Sequence, residues 1–376
     1  MSPSRYRKLA AVAAVAPWVA VAIAVAKGRA PRGWLGWDLA SFRVAAKLLA
    51  SGHSLYDFAA QSTAYHAEFG RGFDVLFPFA YPPIFAIEML PLAHVPQAAA
   101  WALVFVASLA AVSFAVRAIT GDARDAVWVL GTFPGLVGLL AGQFSFFALG
   151  LVVLAWTLLE RQRSLEAGLA LSVLAFKPQL LLFLPLALLF RRDWRALLGL
   201  ALGAGIQVAL CFAVAPHDTL AFPGVLRAFA GYARTHFDDD WSFTWRAFFA
   251  LLAPGHSLAT EAAAAGAVAI CAWAGVRAMW RARRDLALCF GAAVLTTLCA
   301  AWHAYPYDWV LLAFPFFLLL PRARPSRAVS VALPRLRRVV DLRLAAESRG
   351  PRDGRRDPPG AADARRVLGV ARSFFV

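Results

Sequence analysis

Apolar residues run along this chain in blocks of about twenty, separated by short basic connectors. The blocks at about 9–26, 98–117, 196–215, 260–280 and 285–301 each have roughly the length of a helix that crosses a bilayer. Two further blocks, 127–159 and 167–190, begin and end beside basic residues, so each predicts a hairpin whose tip reaches the opposite side of the membrane. The tips read "AGQFS" (141–145) and "FKPQ" (176–179). At about 33 and 24 residues these blocks are too short for two full spans each, which predicts broken or half helices. Non-helical backbone at that depth is tolerated only where protein or a water-filled cavity satisfies it, so both tips are expected to line a cavity. A partial or re-entrant helix is expected at 246–253, and 310–320 runs back to the side of the connectors. The expected fold is all-α, a polytopic bundle of about ten transmembrane helices.

Composition agrees with the pattern. Hydrophobic residues make up 61% of 376 and charged residues 16%, with a mean hydropathy of +0.62, more apolar material than one soluble core can hide. The formal charge of +16 suggests nucleic acid until it is located. From Pro321 onward there are 14 Arg against 5 Asp or Glu, in an Arg, Pro, Gly and Ala background. That segment reads as a disordered basic tail (321–376) behind one membrane domain (1–320), an anchor on anionic headgroups and no nucleic-acid binder. The four cysteines lie in or beside apolar runs without metal-site spacing.

The basic connectors set an orientation with both termini in the cytoplasm. The first block then reads as an uncleaved span rather than a signal peptide. Residues 27–80, 216–248 and 303–309 fall outside, the second of these as a loop. One exception to the charge rule stands out. Lys27, Arg29, Arg32, Arg43 and Lys47 lie on the outer side, where a basic rim would attract a phosphate headgroup, unless it is scatter in short-loop charge.

On this map the polar residues converge at the outer boundary: Asp38, Tyr81 in "FAYPPIF", Gln143, Lys177, Arg234 and His236 with Asp238–Asp240, and His303 with Asp308. Such convergence suits chemistry on a lipid-linked substrate whose tail stays in the bilayer. Asp38 opens "DLASFRVAAKLLASG", a helix expected to lie along the membrane with Phe42, Val44, Leu48 and Leu49 on its apolar side. It has two readings, a general base toward an acceptor hydroxyl or an N-terminal helix cap. Asp57 reads as a turn or cap residue. Lys177 is the last lysine of the chain and precedes a proline, so it should mark a helix break. Its partner would be a phosphate or carboxylate, unless it snorkels to the interface. No GxxxxGK[ST], GxGxxG or HExxH occurs, and the three adjacent acids at 238–240 do not face one point as a metal site would. The small-residue pair in "GLALG" (199–203) reads as helix packing.

With "WDLASFRVAAKLLASGHSLYD", "FAYPPIFAIEMLPLAHVPQAAAWALV", "GQFSFFALGLVVLAW", "AGLALSVLAFKPQLLLFLPLALLFRRDWRAL" and "HAYPYDWVLL" in this order over about residues 9–320, the chain resembles the membrane-embedded GT-C glycosyltransferases, specifically glycosyltransferase family 87. The resemblance implies transfer of a hexose, typically mannose, from a polyprenyl-phosphate carrier on the outer face of the cytoplasmic membrane. The acceptor would be a glycolipid, a glycan or a protein. It also implies inversion at the anomeric carbon and no cofactor or metal, the lipid-linked sugar being a substrate. Carried over, Asp38 is the base, with His303 as a second catalytic group. Lys177 carries over as the family's lysine; of the other residues mapped to the outer side, Arg43 and Arg234 would join it at the donor phosphate, and Tyr81, Gln143, His236 and Asp308 would line the cavity. In place of the family's Asn-x-Ser-like element in the second large loop, this chain reads "DWSFTW". A transporter or lipid flippase with Lys177 in its substrate path, and a catalytically silent scaffold, are the other readings.

Overall fold

The computed structural model of the chain describes residues 35–69, 78–236, 242–253, 257–301 and 303–319. The first predicted span (9–26), the basic residues at 27, 29 and 32, the acids at 238–240 and the basic tail lie outside the described residues. Every regular element among the described residues is helical. In chain order these are α1 Trp37–Ala50, α2 Phe58–Phe69, α3 Pro83–Glu88, α4 Gln97–Thr120, α5 Val127–Leu130, α6 Phe133–Ala141, α7 Ser145–Glu160 and α8 Ser164–Ser172. They continue as α9 Leu184–Arg191, α10 Trp194–Val214, α11 Pro216–His236, α12 Trp245–Leu252, α13 Leu258–Arg281, α14 Leu286–Ala300 and α15 Ala313–Leu319.

Among the described residues three helices, α4, α10 and α13, are long and apolar enough to cross a membrane. A fourth span results if α5 with its preceding turn and α6, bent by 88° at residues 131–132, count as one. Among the described residues the expected count of about ten spans is not confirmed. The apolar runs at 145–160, 164–176, 178–191, 286–300 and 306–319 form helical stretches of 10–17 residues, several of them broken by prolines and 3-10 turns. The three long helices show mostly lipid-type surface: Leu198, Leu202, Ile206 and Leu210 on α10 and Ile270 and Trp273 on α13 are exposed, as expected where the solvent is hydrocarbon.

Each boundary has a local cause. Helix α4 begins after Pro96 and ends at Gly121, whose φ of 83° supplies the left-handed cap. Thr132 at the 88° bend accepts from the Gly135 amide and starts α6. Ser257 and Asp285 cap α13 and α14 in the same way. Asp57 caps α2, its Oδ1 accepting from the amides of Ala59 and Ala60 at 2.9 and 3.0 Å.

Helix α7 packs against α4 and α8, α8 against α10, and α13 against α14. The α8–α10 contact is backbone to backbone. A Cβ on Gly199 would stand 2.1 Å from the Leu165 carbonyl oxygen, and one on Gly203 would stand 2.0 Å from Ser172 Oγ, so the small-residue pair is where the two helices close.

Two expectations change. The segment 216–236 is not a loop but α11, helical through Pro223. Its first turn is anchored by the buried Asp218, which accepts from Ser54 Oγ (2.6 Å) and the Leu55 amide (3.1 Å). Helix α1 is not laid on a surface, because its residues from Asp38 to Ala46 and Leu48 are buried by neighbours on several sides. At its centre Arg43 donates to the carbonyls of Leu92 (3.0 Å) and Val95, to Glu68 (2.5 Å) and to Gln97 (2.6 Å). Lys47 joins the same Glu68 at 2.5 Å.

The α8–α10 contact predicts that Gly199→Val lowers stability by about 1–3 kcal/mol through overpacking. Gly205→Ala, on the same helix but facing open space, should raise it by up to about 1 kcal/mol. Thermal unfolding of both variants in detergent micelles checks the pair.

Candidate active site

The site is assembled where four chain segments meet. Gly36, with φ 75°, precedes α1 and donates its amide to the Leu140 carbonyl at 2.7 Å. The side chain of Gln97 donates to the Gly36 carbonyl at 2.8 Å. Opposite, Gly142 ends α6 with φ 69°, and a Cβ there would meet Leu39 Cβ at 2.8 Å. These two left-handed glycines let the start of α1 and the end of α6 touch, which puts Asp38 beside the first hairpin tip.

Asp38 is buried in the first turn of α1 but does not cap it. The cap position is Gly36, and no side chain caps there. Instead Asp38 Oδ2 accepts from Gln143 Nε2 at 2.7 Å, and Tyr307 adds a second side-chain hydrogen bond. Burial pushes the carboxyl up to about 6, against the opposing pull of Gln143 and of the Lys177 charge. Asp38 is thus a stronger base than an ordinary carboxylate and is still mainly ionised at neutral pH.

The second tip supplies Lys177. Its φ of −126° and ψ of 76° separate two 3-10 turns, Val173–Phe176 and Pro178–Leu181, the break expected of a residue before proline. Its ammonium is buried, 2.8 Å from Asp308 Oδ1 and 3.3 Å from Ser145 Oγ, and lies 4.8 Å from the centre of the Tyr307 ring. Ser145 donates to the same Asp308 oxygen at 2.9 Å, and the Tyr305 amide reaches the other at 3.2 Å. Asp308 stands in the 3-10 segment Pro306–Leu312, packed against α6.

Asp38, Gln143, Lys177, Asp308 and Tyr81 therefore meet in one cluster. Tyr81 is hydrogen-bonded to Gln143 and coupled to both carboxylates. His303 lies at the edge, its ring 4.8 Å from Tyr305 and 5.7 Å from Phe229. Burial holds its pKa below the usual imidazole value, against the pull of Asp308. Arg43 is not brought to this cluster. Four of its five N–H groups are taken by Leu92, Glu68, Gln97 and Val95, which corrects its expected place at a donor phosphate. Arg234 and His236 lie on the last turns of α11, and their side chains lie outside the described residues. Ser145 and Tyr307 were not singled out from the sequence, although each sits within two residues of one that was, in "GQFS" and "HAYPYDW".

Because Lys177 and Asp308 are both almost fully buried, Lys177→Met should cost about 3–5 kcal/mol by stranding a carboxylate. Adding Asp308→Leu to that variant should restore part of the loss. Denaturation midpoints of the single and double variants decide it.

Residues 79–315, well over half of the chain, match the model of glycosyltransferase family 87. No curated protein and no solved structure matches. The matched segment contains Tyr81, Gln143, Lys177, His303 and Asp308 and begins beyond Asp38. With its long apolar helices and this match, the chain is a membrane protein belonging to glycosyltransferase family 87.

Proposed function

We propose that the protein transfers a hexose, mannose being the first candidate, from a polyprenyl-phosphate carrier to an acceptor hydroxyl at the outer face of the cytoplasmic membrane. The observation that carries this reading is the pairing state of the two buried carboxylates. Asp308 is neutralised by Lys177, whereas Asp38 is held by neutral donors. Two acids in one cluster with different partners suit different roles.

In the proposed step the acceptor oxygen attacks the anomeric carbon from the face opposite the carrier. The bond between that carbon and the phosphate oxygen breaks, and the oxygen leaves with the electron pair. Asp38 takes the acceptor proton. Lys177 has three N–H donors, two of them engaged by Asp308 and Ser145. The third offers a hydrogen bond to the phosphate as it gains charge. The products are an inverted glycoside and polyprenyl phosphate, and the balance requires no cofactor.

A lipid carrier is supported by an apolar cleft of about 540 Å³. Phe144 and Phe176, next in sequence to Gln143 and Lys177, line it together with Phe114, Phe147, Leu151 and Leu154. An isoprenoid chain lying there would bring its phosphate end to the two tips.

The test is transfer of labelled sugar from short-chain polyprenyl-phosphate mannose to endogenous acceptors in membranes. Asp38→Asn, expressed equally, should lose at least about a hundredfold in rate. Equal transfer by the variant would remove Asp38 from the mechanism. In the wild-type protein kcat/KM should fall as pH drops through about 6, because protonated Asp38 accepts no proton. Leu154→Trp, which enlarges a side chain lining the cleft, should raise KM for long-chain donors several-fold more than for short-chain ones.

A further inference from the structure

We infer that Gln143 is the positioning residue of the site: by donating Nε2–H to Asp38 Oδ2 it fixes the orientation of the carboxylate and favours its ionised form. This rests on the reading of Asp38 as the base. Three observations carry it. The first is the contact itself, 2.7 Å between side chains 105 residues apart in sequence and both buried. The second is the fixed sense of the amide. Gln143 Oε1 accepts from the Phe144 amide at 3.3 Å, and a flipped amide would set that oxygen against a carboxylate oxygen. The second Nε2–H is available to Tyr81, which also hydrogen-bonds this side chain.

The third is the absence of slack in the backbone. The Gln143 amide donates to the Gly138 carbonyl at 2.9 Å directly after the left-handed Gly142, where a side chain would strike Leu39. The rotation of Gln143 is therefore tied to the packing that also fixes α1.

The charged and titratable groups around Asp38 are Lys177 from the second tip, Asp308, Tyr305 and Tyr307 from the segment after α14, Tyr81 before α3, and Tyr65 from α2. Lys177, the cation among them, gives its short contact to Asp308. Direct hydrogen bonding of Asp38 thus falls to neutral donors, and Gln143 makes the short one, at 2.7 Å. A Gln143 that only closed its turn would have no bearing on Asp38.

The experiment uses the full chain in lipid nanodiscs, with Gln143→Leu and Gln143→Asn. The second keeps an amide at the turn but is one methylene too short to reach Asp38. Two readouts are taken. One is the pH midpoint of Asp38 protonation from the infrared carbonyl band that disappears in Asp38→Asn. The other is the pH profile of kcat/KM with short-chain polyprenyl-phosphate mannose. The midpoint should rise by about one pH unit in both variants, a tenfold gain in proton affinity for the loss of one hydrogen bond to a charged group. The acid limb of kcat/KM should move with it, and donor KM should change by less than about threefold. An unmoved infrared midpoint in both variants overturns the inference. A moved midpoint without a moved acid limb supports the contact but removes Asp38 as the base, so the two readings fail separately.

Discussion

An ammonium ion inside an apolar bundle is tolerated only beside a counter-charge, and the meeting of the two hairpin tips is organised by that constraint. Lys177 cannot continue a helix because Pro178 follows it, and it cannot reach water because its side chain is buried. Asp308 supplies the charge from a proline-led 3-10 segment whose capping residue, Tyr305, donates its amide to the carboxylate. Ser145 opens α7 and closes the triangle. Three chain segments separated by more than thirty residues each are thereby locked to one another at one level of the fold.

Asp38 is held to that lock from the other side. Its contact with the first tip passes through Gln143, and the approach of the two backbones depends on Gly36 and Gly142. Arg43 and Lys47, about one and a half and two and a half turns of helix beyond Asp38, hold the far part of α1 through Glu68. A carboxylate placed at the start of a helix that is pinned at both ends has little freedom to swing, which is what positional catalysis requires.

Much of this was legible in the sequence. The long spans at 98–117, 196–215 and 260–280 stand within a few residues of α4, α10 and α13, because apolar runs of that length have one physical solution in lipid. The two tips were readable from short hairpins and from a lysine before a proline. What escaped reading depends on contacts distant in sequence. Nothing in "ASFRVAAK" reveals that Glu68 will absorb both basic residues, so Arg43 read as a phosphate ligand. The polar, proline-containing 216–236 read as a loop, yet Asp218 finds Ser54 and the segment is helical. Asp38 read equally as a cap until the left-handed Gly36 was seen to hold that position. The count of about ten spans is not confirmed: among the described residues three helices are long and apolar enough to cross, or four with the bent pair, and the other apolar blocks form helical stretches of 10–17 residues.

The central claim is that the two tips and the start of α1 form the place where a lipid-linked sugar phosphate reacts. A structure of the full chain with a short-chain polyprenyl phosphate tests it most directly. The account predicts the phosphate within hydrogen-bonding distance of Lys177 Nζ, the isoprenoid chain in the cleft between Phe144 and Phe176, and Asp38 facing the space beyond the phosphate. A phosphate bound elsewhere, with Lys177 and Asp308 undisturbed and the cleft filled by bulk lipid, would contradict it.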